Sequence, residues 1–195
     1  KSVERPESHQ QKPNNAKIVF RGKLFDVWQW EQIMFNGSTK TFESLKRPDT
    51  VLILPVLHNN EVILCKEQQP GTKIMLRTIG GRIENGESPE EAAQRELHEE
   101  TGYKAKELIL WDTWQPVNKI DWAVYLFVAH GLVKESEPNQ DAGEKISLVN
   151  YPVEKLLDPN NELILNDNEF LSRLLFAQVN LKEKERVIKL LLPNI

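Results

Sequence analysis

The chain has one cysteine, no excess of positive charge and no long apolar run, and each shortage excludes a class of protein. Cys65, in the run EVILCK, has no partner for an internal disulfide, so it reads as a buried strand residue in a protein of a reducing compartment. Lysine and arginine number 25 against 29 acidic residues, a net charge of −4, so no basic field marks nucleic-acid binding. No stretch reaches the length of a membrane span, and the polar opening KSVERPESHQQKPNNA has no hydrophobic signal region. The expected location is the cytoplasm, with neither nucleic acid nor membrane as a partner. No internal repeat or low-complexity tract interrupts the 195 residues, which suffice for one domain with a real core and an added N-terminal piece.

What the chain does have is concentrated between Gly81 and Tyr103, GRIENGESPEEAAQRELHEETGY. Ser88 and Glu91 have the spacing of a capping box and Pro89 suits a first helical position, so a helix is predicted from about Pro89. Gly102 is placed to close it in a left-handed conformation. Glu96, Glu99 and Glu100 then share one face, while Ala93 and Leu97 form the adjacent stripe that packs on a sheet. Carboxylates this close repel one another without a counter-charge, and hard oxygen ligands favour Mg²⁺, with Mn²⁺ as a substitute. An ordinary solvated acidic helix would show the same charges, but Gly80, Gly81 and Gly86 just before it permit the close backbone approach that a site needs. Arg95 is expected to orient Glu87 or Glu99 rather than touch a substrate.

Elsewhere the pattern gives a coarse map. Residues 1–16 are polar and aperiodic, which predicts a disordered or loosely attached arm. A β extension over 17–45 contains a hairpin turning at Asn36 and Gly37, with Trp28 and Trp30 on one face. The main domain is assigned to 46–195. In it, Val51 to Leu57 and Glu61 to Cys65 are predicted to pair as a second hairpin, followed by strands at Leu108 to Thr113, Ala123 to His130 and Ile146 to Tyr151. Helices are expected at Val153 to Leu157, Asn166 to Val179 and Leu181 to Leu192. The histidines at 9, 58, 98 and 130 show no ligand spacing and no nucleophile partner.

Gly81, Glu87, Arg95, Glu96, Leu97, Glu99, Glu100 and Gly102 together resemble the Nudix box, G x5 E x7 R E U x E E x G U, with Tyr103 in place of the second aliphatic residue. The resemblance runs from about Phe20 to Gln178. It implies an α/β/α sandwich around a mixed sheet, here with an N-terminal antiparallel β extension. It also implies a metal site made by Glu96, Glu99, Glu100 and the Gly80 carbonyl, with Arg95 and Glu87 in support. Within the family the chain is most similar to the ADP-ribose pyrophosphatase branch, through its N-terminal sheet, the Leu54 and Pro55 pair, and LCKEQQP at 64–70. Three features depart from that branch. Gln69 stands where arginine is common, Arg77 to Gly80 replace the usual Glu, Leu, Pro and small residue, and the loop QPVNKID lacks the usual Pro and Gly.

The resemblance implies hydrolysis of the pyrophosphate of a nucleoside diphosphate linked to another group, with ADP-ribose or a nucleotide sugar as substrate. The base for water is expected beyond the box. Glu144 is the best match, with Glu135, Glu137 and Asp141 as rivals. Flat surfaces for a nucleobase are offered by Trp28 and Trp114, and phosphate clamps by Arg47 and Arg77. Core packing and surface ion pairing are the ordinary roles of these residue types. A homodimer through the N-terminal hairpin is expected. The rival functions are nucleoside triphosphate hydrolysis and nucleotide sensing without catalysis, and sensors of this fold commonly lack the box glutamates that this chain keeps.

Overall fold

The structure is a computed structural model that describes residues 3–139, 145–160 and 165–193. An N-terminal sheet is built from β1 (Lys17–Arg21), β2 (Asp26–Ile33) and β3 (Thr39–Lys46), all antiparallel. Asn36 and Gly37 turn the β2 to β3 hairpin as predicted, with Gly37 at φ +79°. The main part of the chain begins with β4 (Thr50–Pro55), β5 (Glu61–Gln68), β6 (Met75–Arg77) and β7 (Ile79–Arg82), which lead into helix α1 (Pro89–Thr101). After it come β8 (Tyr103–Lys104), β9 (Glu107–Trp114), β10 (Ile120–Asp121), β11 (Val124–His130), β12 (Val133–Lys134) and β13 (Lys145–Pro152). Helices α2 (Val153–Leu156), α3 (Asn168–Val179) and α4 (Leu181–Leu191) follow.

Two sheets form the middle layer. One runs β7-β4-β11-β9, with β4 and β11 parallel and the outer pairs antiparallel. The other runs β13-β5-β6 and is wholly antiparallel. Side chains alternate across a strand, and here both faces are buried. Val51, Ile53, Tyr125 and Phe127 pack with Ala92, Ala93 and Leu97 of α1. The intervening Leu52, Leu54, Val124 and Leu126 pack with Phe170 and Leu174 of α3 and with Val187 and Leu191 of α4. The near-continuous apolar runs of β4 and β11 are therefore those of strands between two helical layers, and the architecture is an α/β/α sandwich. Each fully buried Leu, Ile or Phe contributes about 1.5–3 kcal/mol, and these residues fix α1 against the sheet.

The predicted hairpin of β4 and β5 is a misreading beyond its tip. Leu57 N–H bonds the Glu61 carbonyl and Val56 bridges Val62, but the strands then part into different sheets. Apolar runs buried on both faces do not specify a local partner, and β11 and β13 compete successfully for their edges. The chain crosses from one sheet to the other again at Thr78, between β6 and β7.

The N-terminal segment also differs from expectation. Residues 3–16 have no regular secondary structure, yet Arg5 pairs with Asp49 at 2.7 Å and with Asp121 at 2.7 Å, and Lys12 pairs with Asp121. Val3 packs against the core beneath α1. Composition reports the missing apolar period but not these long-range ion pairs. The sheet of residues 17–46 is likewise stitched to the rest, because β10, from the QPVNKID loop, pairs parallel with the end of β3.

Candidate active site

Local sequence fixes α1 as expected. Ser88 caps it by accepting from the Glu91 amide while the Glu91 carboxylate accepts from the Ser88 amide, and Gly102 closes it at φ +68°. The acidic stripe faces away from the buried Ala92, Ala93 and Leu97. Gly81, in β7, lies against it. A Cβ on Gly81 would meet the Glu96 carboxylate, and one on Gly80, at φ +153°, would collide with the Val51 carbonyl. Glycine is thus required at Gly80, where both the backbone conformation and the backbone neighbour exclude a side chain.

Arg95 organises the stripe. Its Nε and one terminal nitrogen donate to the two carboxylate oxygens of Glu87 at 2.7 and 3.0 Å. Its other terminal nitrogen donates to Glu96 at 2.8 Å and Glu99 at 3.1 Å, and the Arg82 carbonyl accepts a further bond at 2.9 Å. Glu87 also accepts from the Glu84 amide at 2.9 Å, so the loop before α1 is tied to the helix. The hydrogen bonds from Arg95 hold the Glu87 carboxyl below its ordinary range. Glu96 is displaced the other way, because burial pushes its carboxyl up despite Arg95. Glu99 is the outward member, with a side chain 44% exposed.

Among the described residues no three acidic, histidine or cysteine side chains stand ready to hold a metal ion. The reason is visible in the contacts, since Arg95 draws Glu96 and Glu99 onto its guanidinium. The residues nonetheless fit a hard divalent cation. Glu96, Glu99 and Glu100 are oxygen donors on one helical face, and the backbone at Gly81, next to Gly80, comes up to the Glu96 carboxylate. Glu100 lies on the inner side of this stripe, close enough to Cys65 that its charge reinforces the main effect of burial in pushing that thiol up.

The other predicted residues divide. Arg47 stacks on Trp122, 4.3 Å from the ring, and its buried Nε has no hydrogen-bond partner among the described residues. Burial lowers its pKa, with Glu169 opposing and Arg82 reinforcing that shift. Arg77 instead donates to the buried Glu67 at 3.1 Å, and Gln69 donates to the other oxygen of Glu67 at 2.8 Å. Trp28 carries the Lys12 ammonium 5.5 Å from its ring centre. Trp30 is buried against Phe42, so the two tryptophans do not form an open apolar face. Trp114 stacks with Arg173 at 4.2 Å and lines an open cleft of about 670 Å³ between the loop after β9 and the start of α3.

Sequence reasoning missed the residues that fasten this cleft to the box. Asp167 caps α3 and accepts the Thr78 hydroxyl just before Ile79 and Gly80, while Asn166 and Leu76 exchange two hydrogen bonds. Asp167 also borders Glu169, whose carboxyl is pushed up chiefly by burial. An N-cap aspartate was readable at Asp167; its partner 89 residues away was not. Glu144 and Asp141 lie outside the described residues. The chain enters that segment from Asn139, whose amide donates to the Glu99 carbonyl at 2.8 Å, and leaves it at Lys145, which pairs with Gln68. Glu135 and Glu137 are exposed.

The NUDIX domain family matches residues 46–174. The ADP-ribose pyrophosphatase of Bacillus subtilis (strain 168) is 31% identical over 142 residues, 71% of this chain and 77% of that protein. The ADP compounds hydrolase NudE of Escherichia coli (strain K12) is 30% identical over 189 residues, 91% of this chain and 97% of that protein. A crystal structure of an ADP compounds hydrolase matches with a TM-score of 0.71 and 27% identity, covering 97% of both chains. The chain belongs to the NUDIX family, and it is a pyrophosphatase enzyme of that family.

Proposed function

We propose that this enzyme hydrolyses the pyrophosphate bond of a nucleoside diphosphate joined to a sugar, ADP-ribose or another nucleotide sugar, with Mg²⁺ or Mn²⁺. The observation that carries the reading is the Glu96, Glu99 and Glu100 stripe on α1, with Gly81 seated against the Glu96 carboxylate, together with an open cleft beside Trp114 and Glu169. The relatives named for ADP-ribose and ADP compounds support the substrate class. Glu96, Glu99, Glu100 and the Gly80 carbonyl hold the ion, and Arg95 sets the stripe by gripping Glu87. When bound, such an ion neutralises the diphosphate and polarises the attacked phosphorus. Arg47, which has no ion pair among the described residues, binds phosphate oxygens. Water adds to one phosphorus, the bridging P–O bond breaks, and Glu144 takes the proton, leaving a nucleoside monophosphate and a sugar phosphate.

A preference among substrates follows from the shape. A triphosphate leaves the Trp114 end of the cleft empty, whereas a nucleotide sugar fills it. The expected order of kcat/KM is ADP-ribose, then GDP-mannose and UDP-glucose, then dGTP, with about 10-fold or more between first and last. A preference for dGTP would replace the substrate assignment with triphosphate hydrolysis.

The proposed assembly is a homodimer through the N-terminal sheet. Trp28 and Trp30 do not supply its apolar face, since Lys12 lies over Trp28 and Trp30 is buried against Phe42. Phe20 at 60%, Ile33 at 72% and Phe35, fully exposed, leave an apolar margin on that sheet instead. Light scattering at micromolar concentration is expected to give twice the 22.6 kDa chain mass, and a monomer would refute the assembly. No described helix is long and apolar enough to cross a membrane.

A further inference from the structure

The cleft beside Trp114 has one wall that comes from outside the NUDIX match. Pro6, Glu7 and His9 line it together with Trp114, Glu169 and Arg173. This stretch is attached at both ends by ion pairs, Arg5 to Asp49 and Asp121 and Lys12 to Asp121, with Val3 seated on the core beyond them. In the middle, the His9 ring bonds the Gln115 carbonyl at 3.1 Å and the Gln115 side-chain amide donates to the Pro6 carbonyl at 3.1 Å. Each basic anchor is followed by proline, Pro6 and Pro13. Proline biases the residue before it towards extended backbone, which suits a stretch that reaches across a surface without forming a helix or strand.

The polar character of the cleft is informative. Arg173 is paired with Asp112 at 2.6 Å, so its charge is already matched. Glu7 has no such partner among the described residues, and it adds a carboxylate to this wall of the cleft. A carboxylate accepts hydrogen bonds from sugar hydroxyls and repels a further phosphate. We propose that residues 5–12 are a strap that completes the substrate cleft, and that Glu7 on it selects a hydroxyl-bearing sugar over an additional phosphate. The inference rests on the pyrophosphatase reading above and adds a specificity element to it. Arg5 and Lys12 are positioning residues, since they act only by holding the strap.

Two variants of the full chain test this. Glu7→Lys keeps both anchors and is expected to reduce the preference for ADP-ribose over dGTP by about tenfold, chiefly by lowering KM for dGTP. Arg5→Ala with Lys12→Ala is expected to raise KM for ADP-ribose by about tenfold with kcat within about twofold. Hydrogen exchange gives a readout that does not need turnover. A non-hydrolysable methylene analogue of ADP-ribose is expected to slow exchange in residues 6–12 of the wild type and not in the double variant. An unchanged preference in Glu7→Lys, or a double variant that loses only melting temperature, would overturn the strap's role. Wild type that fails to hydrolyse ADP-ribose, yet protects the strap when the analogue binds, would sink the pyrophosphatase reading alone. Binding of the analogue without such protection would sink the strap.

Discussion

Glu100→Gln is expected to lose nearly all turnover, on the order of 10³-fold or about 4 kcal/mol of transition-state stabilisation, while the protein stays folded. The amide keeps the volume of the side chain and removes the charge that a hard cation requires. Helix α1 is fixed by the Ser88 and Glu91 capping box, by Gly102, and by the burial of Ala92, Ala93, Leu97 and Thr101. Circular dichroism and melting temperature should therefore match wild type, and steady-state turnover with added Mg²⁺ should be almost nil. Full activity in Glu100→Gln, or in wild type with excess chelator, would contradict a metal mechanism.

Glu144→Gln should cut kcat by about 10² to 10⁴ with little change in KM. The argument for this residue combines the resemblance with the path of the chain. The residue before the segment, Asn139, is bonded to the carbonyl of Glu99 on α1, and Lys145 after it resumes the sheet beside Gln68. Glu135 and Glu137 precede Asn139 and are exposed, and their glutamine variants should change kcat by less than about tenfold, the lower reach of general-base effects being larger than that. Equal losses at all three positions would mean that the loop's order, not proton transfer, limits the rate.

What was legible in the sequence was set by short-range chemistry. Ser88, Pro89 and Gly102 bound α1 because caps act within one turn, and Glu87 and Glu99, the two partners expected of Arg95, both accept hydrogen bonds from it. The turn at Asn36 and Gly37 is equally local. The failures are all long-range. β4 and β5 carry the same apolar character on both faces, so adjacency in sequence suggested a pairing that β11 and β13 take instead. Arg77 looked free to meet phosphate, and only the fold brings Glu67 beneath it. The N-terminal arm looked unattached because its anchors, Asp49 and Asp121, lie 44 and 116 positions from Arg5. Such contacts gain little from local propensity and leave no periodic signal.

The central claim is that a nucleoside diphosphate sugar is cut at its pyrophosphate, and the products report on it directly. ADP-ribose incubated with the enzyme and Mg²⁺ and followed by phosphorus NMR should disappear as AMP and ribose 5-phosphate appear in equal amounts, with no inorganic phosphate or pyrophosphate. Unchanged ADP-ribose and nucleotide sugars, under conditions in which dGTP gives dGMP and pyrophosphate, would contradict the claim.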